Sequence, residues 1–210
     1  MSTSSSRSRA LIFDYGGVIM RTDSQQGRLR LARRFGMSTA ALSEAVFGNE
    51  FIELAELGQL SARQFGRHVG AQFGLHSDAE ISAFWDEFFG DDVLDTALVE
   101  RIRHWRRTHK TALLSNFSDS LLDYVHNRLG IGDCFDEIIV SACVGLRKPD
   151  RRIYELALQR LQVEPHHALF VDDMEVNVEG ARAAGLHAIR FTHREAMLAE
   201  IEEWLNSHSS

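Results

Sequence analysis

The stretch Ala10-Leu-Ile-Phe-Asp14-Tyr-Gly16-Gly17-Val-Ile constrains the fold of this chain more than any other. Ala10 to Phe13 is apolar, rich in strand formers and too short for a buried helix. It stops abruptly at a carboxylate followed by two glycines. That pattern reads as a strand of a parallel sheet, buried on both faces, that ends in a tight loop. An Asp at the carboxyl end of such a strand points into the crevice where open α/β sheets hold their ligands. Glycines straight after it let the backbone approach a ligand and offer N–H groups to an anion.

The rest of the chain supplies what such a strand needs as neighbours. From residue 96 onward the pattern alternates. A helix through Leu98, Val99, Ile102 and Trp105 leads to a strand over Thr111–Leu114 that ends at Ser115-Asn116. A helix over 119–129 is followed by a strand at Glu137–Ser141, a loop with Lys148-Pro149, and a helix through Ile153, Leu156, Ala157 and Leu161. Ala168–Val171 is a strand ending at Asp172-Asp173. A helix through Val176, Val178 and Ala181 stops at Gly185, and a strand at His187–Phe191 and a helix over 194–205 complete the series. Alternation with short connections predicts an α/β fold, a Rossmann-like doubly wound parallel sheet.

Residues 22–95 read differently, as helices without a convincing strand. Leu29, Leu31, Ala32 and Phe35 fall at helical spacing and stop at Gly36, and further amphipathic turns run through Leu42, Val46, Phe51, Ile52 and Ala55. Ser61-x-x-Gln64 and Ser77-x-x-Glu80 fit capping boxes, in which a Ser and a Gln or Glu three residues on satisfy the free N–H groups of a helix start. The stripe Phe84, Trp85, Phe88, Phe89 reads as helix–helix core. The expected organisation is a polar, frayed terminus at 1–9, a core at 10–21 and 96–210, and an inserted helical cap at 22–95.

Composition narrows the function classes. The chain has 210 residues, a formal net charge of −7, and 44% hydrophobic residues. The charge argues against nucleic acid and anionic membranes as partners, and no apolar stretch approaches the roughly 20 residues of a membrane span. Cys134 and Cys143 are the only cysteines and have no metal spacing, which together with the lack of a cleavable leader points to a reducing, cytoplasmic setting. The basic run Arg101–Lys110 reads as the solvated side of a helix whose buried side is Leu98, Ile102 and Trp105, with Arg103, Arg106, Arg107 and Lys110 outward. His166-His167 reads as a turn rather than a metal site, and Cys143 as a small apolar residue.

Carboxyl ends of parallel strands face one side, so Asp14, Ser115-Asn116 and Asp172-Asp173 should converge there, with Lys148 on a loop at the same edge. Four blocks then carry a resemblance: Leu11-Ile-Phe-Asp14-Tyr-Gly-Gly-Val, Leu113-Leu-Ser115-Asn116, Lys148-Pro-Asp-Arg-Arg-Ile-Tyr154, and Phe170-Val-Asp172-Asp173 with Asn177 and Gly180-Ala181. As a set they resemble the haloacid dehalogenase superfamily, in the branch with a helical cap inserted after the first strand. The Asp-x-Gly-Gly-Val form is similar to a subgroup that includes sugar-phosphate phosphatases.

The resemblance implies a Mg²⁺-dependent phosphomonoester hydrolase acting on a small phosphorylated metabolite, with Asp14 as the nucleophile. Asp14, the Gly16 carbonyl, Asp172 and Asp173 would hold the metal. Lys148 would supply fixed positive charge, Gly17, Ser115, Asn116 and Lys148 would bind the phosphoryl oxygens, and Asn177 would orient the metal-side loop. One position departs from the pattern. Family phosphatases usually carry an Asp two residues after the nucleophile as acid and base, and here that position is Gly16. Glu53 and Glu56 in the cap are candidate substitutes. The gap keeps two alternatives in view: a metal-free 2-haloacid dehalogenase, whose leaving halide needs no proton, and a weakly active or non-enzymatic binding relative. Asp172-Asp173 weigh against the dehalogenase, because three carboxylates together call for a cation, and the metal-free enzymes carry small neutral residues there.

Overall fold

The computed structural model describes residues 8–207. Five strands form one parallel sheet: β1 (Ala10–Phe13), β4 (Lys110–Ser115), β5 (Glu137–Val140), β6 (Ala168–Asp172) and β7 (His187–Arg190), in the order β5-β4-β1-β6-β7. β1 is central and every residue of it is buried. Its side chains alternate as a strand must. Leu11 and Phe13 join one core layer with Leu113, Leu169 and Val171, and Ala10 and Ile12 join the other with Leu114 and Phe170. Helices α6 (Thr96–Trp105) and α11 (Arg194–Ser207) cover the first layer, while α9 (Arg151–Leu161) and α10 (Glu175–Ala183) cover the second. The chain crosses back from β5 to β6 on the far side of β1, which opens a crevice over the carboxyl ends of β1, β4 and β6. This is the doubly wound architecture the sequence predicts.

The helical insertion holds α1 (Gln26–Arg34), α2 (Thr39–Phe47), α3 (Glu50–Glu56), α4 (Ala62–Gln72) and α5 (Asp78–Phe88) around a core of its own that includes Leu31, Leu42, Val69, Phe84 and Phe88. Both predicted capping boxes are present at the starts of α4 and α5. A sixth feature was not legible. Short strands β2 (Met20–Thr22) and β3 (Asp92–Leu94) pair antiparallel where the chain enters and leaves the insertion, so the region is not free of strand. Three residues show no periodicity; the pairing is joined by Thr22 Oγ1 donating to Asp92 Oδ1 at 2.6 Å and by the buried Asp95, whose N–H donates to Ile19 O at 2.9 Å and whose carboxylate lies 3.4 Å from Arg21.

Four other readings change in detail. Of the aromatic stripe only Phe84 and Phe88 are fully buried; Trp85 and Phe89 pack on that core by one edge and line an open cleft with the other. Lys110 belongs to β4 rather than to the basic helix face, because α6 ends at Trp105 and a turn intervenes. Arg103 and Arg106 do lie outward, paired with Asp133 and Asp136. The helix expected over 119–129 is a short α-turn, α7 (Leu121–Asp123), running on as a π-turn over Tyr124–Arg128. Cys143 is exposed rather than packed, and partial burial holds its thiol pKa above the usual value. His166 and His167 form the expected turn. Most of the polar start expected at 1–9 lies outside the described residues; Arg9 itself accepts a backbone hydrogen bond from Lys110 and donates to Leu205 O at 2.6 Å. Among the described residues no helix is long and apolar enough to cross a membrane.

The caps have a measurable consequence. Ser77→Ala should lower stability by about 1 kcal/mol in urea denaturation. Hydrogen bonds from Ser77 and His76 pull the Glu80 carboxyl down from 4.5 to about 2. Its contribution is therefore present above pH 4.5 and lost as the pH falls through about 2. The stability difference between the native chain and Glu80→Ala should be full at pH 7 and nearly closed at pH 2.

Candidate active site

The end of β1 places Asp14 in the crevice, its N–H bound to Val171 O at 2.9 Å and one carboxylate oxygen accepting from Tyr15 N at 2.7 Å. Lys148 is 1% exposed. Its ammonium lies 2.8 Å from Asp14 Oδ1 and 2.6 Å from Asp172 Oδ2. The loop that carries it is held by Asn116, whose side chain accepts from Lys148 N at 2.8 Å and donates to Lys148 O at 2.9 Å. Asn116 thus acts on Lys148 through both halves of its amide. Asp172 is saturated with donors: Lys148, Met174 N at 2.8 Å, and Asn177 Nδ2 at 3.1 Å from each oxygen. Asn177 thus donates to both oxygens of that aspartate. Ser115, Asp173 and Gly16 line the same pocket of about 340 Å³, so the structure brings Asp14, Ser115, Asn116, Lys148, Asp172 and Asp173 to one edge of the sheet, while Gly17 lines the neighbouring cavity.

Charge at this edge is unbalanced. Oxygens of Asp14, Asp172 and Asp173 lie within 4.8 Å of one another, against the single Lys148 ammonium. Ionised, three negative charges less one positive leave two in excess. Burial, with Asp172 adding to it against the opposing pull of Lys148, pushes the Asp14 carboxyl up to about 7, and burial and Asp172 likewise raise Asp173. Burial disfavours the Lys148 ammonium, yet the two carboxylates outweigh it and its pKa rises. A compact set of hard oxygens with two uncompensated charges fits a divalent cation such as Mg²⁺. Gly17 has φ +77°, and a Cβ built there would overlap the Asp173 carboxylate. The second glycine of the first motif is therefore required by that aspartate's approach.

Gly16 is different. A Cβ there would meet nothing within 4 Å, so neither packing nor backbone demands a glycine, and the side of the pocket facing it is open. The cap reaches into that pocket with Glu56 of α3. Arg147, next to Lys148, lies 2.7 Å from Glu53 and 3.0 Å from Glu56, and so joins cap to core. The second pair is an ion pair without hydrogen-bond alignment, since Glu56 Oε2 and Arg147 Nε are both buried with no hydrogen-bond partner. Burial raises the Glu56 pKa against the opposing effect of Arg147. Glu53 stays exposed, away from the pocket lining. Arg147 was not singled out in the sequence; its place immediately before a loop lysine is the signal that could have found it.

Two substitutions probe this geometry. Gly17→Ala should weaken Mg²⁺ binding at least about tenfold in a calorimetric titration, with the circular dichroism unchanged, because it costs only about 1–2 kcal/mol of backbone strain while displacing Asp173. Lys148→Met should lower stability in urea by about 3–5 kcal/mol, because the buried carboxylates lose their cation.

Comparisons with known proteins agree with this architecture. A family profile described as haloacid dehalogenase-like hydrolase matches residues 8–185. The chain is 25% identical to the sesquiterpene phosphatase astK of Aspergillus oryzae over 93% of its own length and 95% of that protein's. It is equally 25% identical to the D-ribitol-5-phosphate phosphatase of Bacteroides thetaiotaomicron, over 94% and 98%. Other curated relatives match over shorter stretches, the chain spanning as little as 7% of their length. Among solved structures, a HAD family enzyme of Bacteroides thetaiotaomicron in complex with magnesium and inorganic phosphate superposes with a TM-score of 0.74 at 20% identity, covering 90% of this chain and 98% of that one. With the profile spanning most of its length, this chain belongs to the haloacid dehalogenase-like hydrolase family.

Proposed function

We propose that this chain is a Mg²⁺-dependent phosphomonoester hydrolase that works through an aspartyl-phosphate on Asp14 and acts on a small phosphorylated metabolite. The observation that carries the reading is the buried Asp14–Lys148–Asp172 array beside Asp173, an anionic site that needs a divalent cation and has a nucleophile already in it. The phosphatase names of the two relatives matched over nearly their full length, and the magnesium and phosphate of the structural neighbour, support it. Asp14, the Gly16 carbonyl and Asp173, with Asp172 alongside, would hold the metal, which when bound supplies charge neutralisation for the phosphoryl oxygens.

Lys148 pulls the Asp14 carboxyl towards its ionised form against burial and adds fixed positive charge at the phosphoryl group without reorganisation. An Asp14 oxygen attacks phosphorus, and the bond from phosphorus to the alcohol oxygen breaks. The leaving oxygen needs a proton, and Glu56 is the one carboxyl among the pocket-lining residues outside the acidic cluster. Glu56, held towards its neutral form by burial, gives that proton. Its carboxylate then takes a proton from the water that hydrolyses the aspartyl-phosphate, which restores Asp14. Ser115 and the N–H groups after Asp14 bind phosphoryl oxygens. The open space at Gly16 favours a second reading, a dehalogenase needing no acid; the uncompensated acidic cluster disfavours it.

Phosphate release with Mg²⁺ and with EDTA tests the proposal. Mg²⁺-dependent turnover lost in Asp14→Asn is expected, and turnover that survives in that variant would refute it. Glu56→Gln should reduce kcat/KM, which reports the steps up to formation of the aspartyl-phosphate, about 10²-fold or more for an alkyl phosphate, yet by less than tenfold for p-nitrophenyl phosphate, whose leaving group needs no acid, while the shared hydrolysis of the aspartyl-phosphate slows for both. Equal losses of kcat/KM on both esters would remove Glu56 from the proton transfer.

A further inference from the structure

Beside the acidic pocket lies a larger cavity of about 950 Å³ between cap and core. The two share Gly16, Glu56, Asn116 and Phe117 in their walls, so whatever is esterified to a phosphate at Asp14 extends into this space. Its walls are aromatic. Phe65, Trp85 and Phe89 come from the cap, and Tyr15, Phe117 and Tyr124 from the core. Phe117 meets Tyr15 edge-to-face at 6.0 Å, and Trp85 stacks on Phe89 at 5.6 Å. At the mouth, Phe47 is 44% and Tyr124 43% exposed. Phe47 packs edge-on against the buried Phe88 at 5.6 Å, and the ring surface that stays in water at the cavity rim marks a face that an apolar group can cover.

Many of the polar groups of the cavity already have partners. Arg28 lies over the Phe88 ring at 4.7 Å and pairs with Asp92 at 3.6 Å, and Thr22 donates to Asp92. Ser118 and Ser120 share a hydrogen bond of 3.0 Å, Asp123 accepts from Asn127 at 2.7 Å, and Asn116 is committed to Lys148. Asp86 and Arg128 lie exposed. A polyol placed here would bury hydroxyls against rings and against donors already engaged, which is unfavourable, whereas an apolar group would gain from the same walls.

We infer that the substrate is the phosphate monoester of a large apolar alcohol, its hydrocarbon part bound between cap and core against Trp85, Phe89 and Phe117. The inference rests on the phosphatase reading above and replaces the sugar phosphate implied by the first motif with a specific chemical class. The cap then contributes affinity for the part of the substrate that does not react, and the acidic edge handles only the phosphoryl group.

The experiment is a chain-length series. kcat/KM is measured with Mg²⁺ for methyl, butyl, hexyl and octyl phosphate, all below micelle formation, and for a pentitol phosphate. Binding of the matching alkyl phosphonates, which cannot be hydrolysed, is measured by calorimetry. Both quantities should rise about two- to fourfold per methylene, with the octyl ester far above the pentitol ester. Trp85→Ala and the rim variant Phe47→Ser, which removes a half-exposed ring, should both flatten the series. A flat series, or preference for the pentitol ester, overturns the substrate class while leaving the phosphatase reading intact. Chain-length-dependent phosphonate binding with no turnover of any ester, p-nitrophenyl phosphate included, overturns the phosphatase reading, and the substrate assignment falls with it.

Discussion

A single buried ammonium organises this molecule. Lys148 sits at 1% exposure between Asp14 and Asp172, where an unpaired charge would be prohibitive. The two carboxylates come from different strands, β1 and β6, and the lysine from a loop two elements away. The pairing therefore fixes the relation of three segments that sequence separates widely. Asn116, at the end of a fourth segment, β4, locks the lysine's backbone, and Asn177 and Met174 at the start of α10 hold Asp172. Each of these bonds satisfies a polar group that the sheet edge would otherwise leave buried and unpaired. The site and the fold are consequently one structure; what keeps the strand ends together also presents Asp14 to the crevice.

The same edge remains short of positive charge, and this is where structure becomes chemistry. One lysine cannot balance three ionised carboxylates, and by donor type and charge the edge fits a divalent cation such as magnesium. The cap completes the enclosure from the other side. Arg147 of the core pairs with Glu53 and Glu56 of α3, Glu56 entering the pocket, and an added Cβ at Gly58 would overlap Ala142 of α8 (Ser141–Val144), a contact close enough to seat α3 on the core. A carboxyl delivered from the cap can take the place that an open Gly16 leaves empty. Tying it to cap closure would make proton transfer depend on a shut site, as lids do in enzymes generally.

Much of this was legible in the residues. Burial on both faces of β1 left Ala10–Phe13 as an unbroken apolar run, and alternation afterwards gave the parallel sheet. Since carboxyl ends of parallel strands share one side, Asp14, Ser115 and Asp172-Asp173 were bound to meet. Other features left no trace in the pattern. β2 and β3 are three residues each, too short for a period, and exist because the chain enters and leaves the insertion at one place. Trp85 and Phe89 carry the same apolar signature as Phe84 and Phe88, but a wide aromatic stripe faces two directions, and hydrophobicity does not distinguish a core from a cavity wall.

The sequence by itself determined the sheet, the insertion and the identities of the residues at the reacting edge, because these follow from periodicity and strand direction, which are local. Only the tertiary structure decided which charges share a partner, that Arg147 bridges cap and core, that Glu56 rather than Glu53 enters the pocket, and that aromatic residues of the cap line a cavity shared with the core. Those are relations between segments tens of residues apart, set by how two separate hydrophobic cores pack against one another, and no spacing along the chain encodes them.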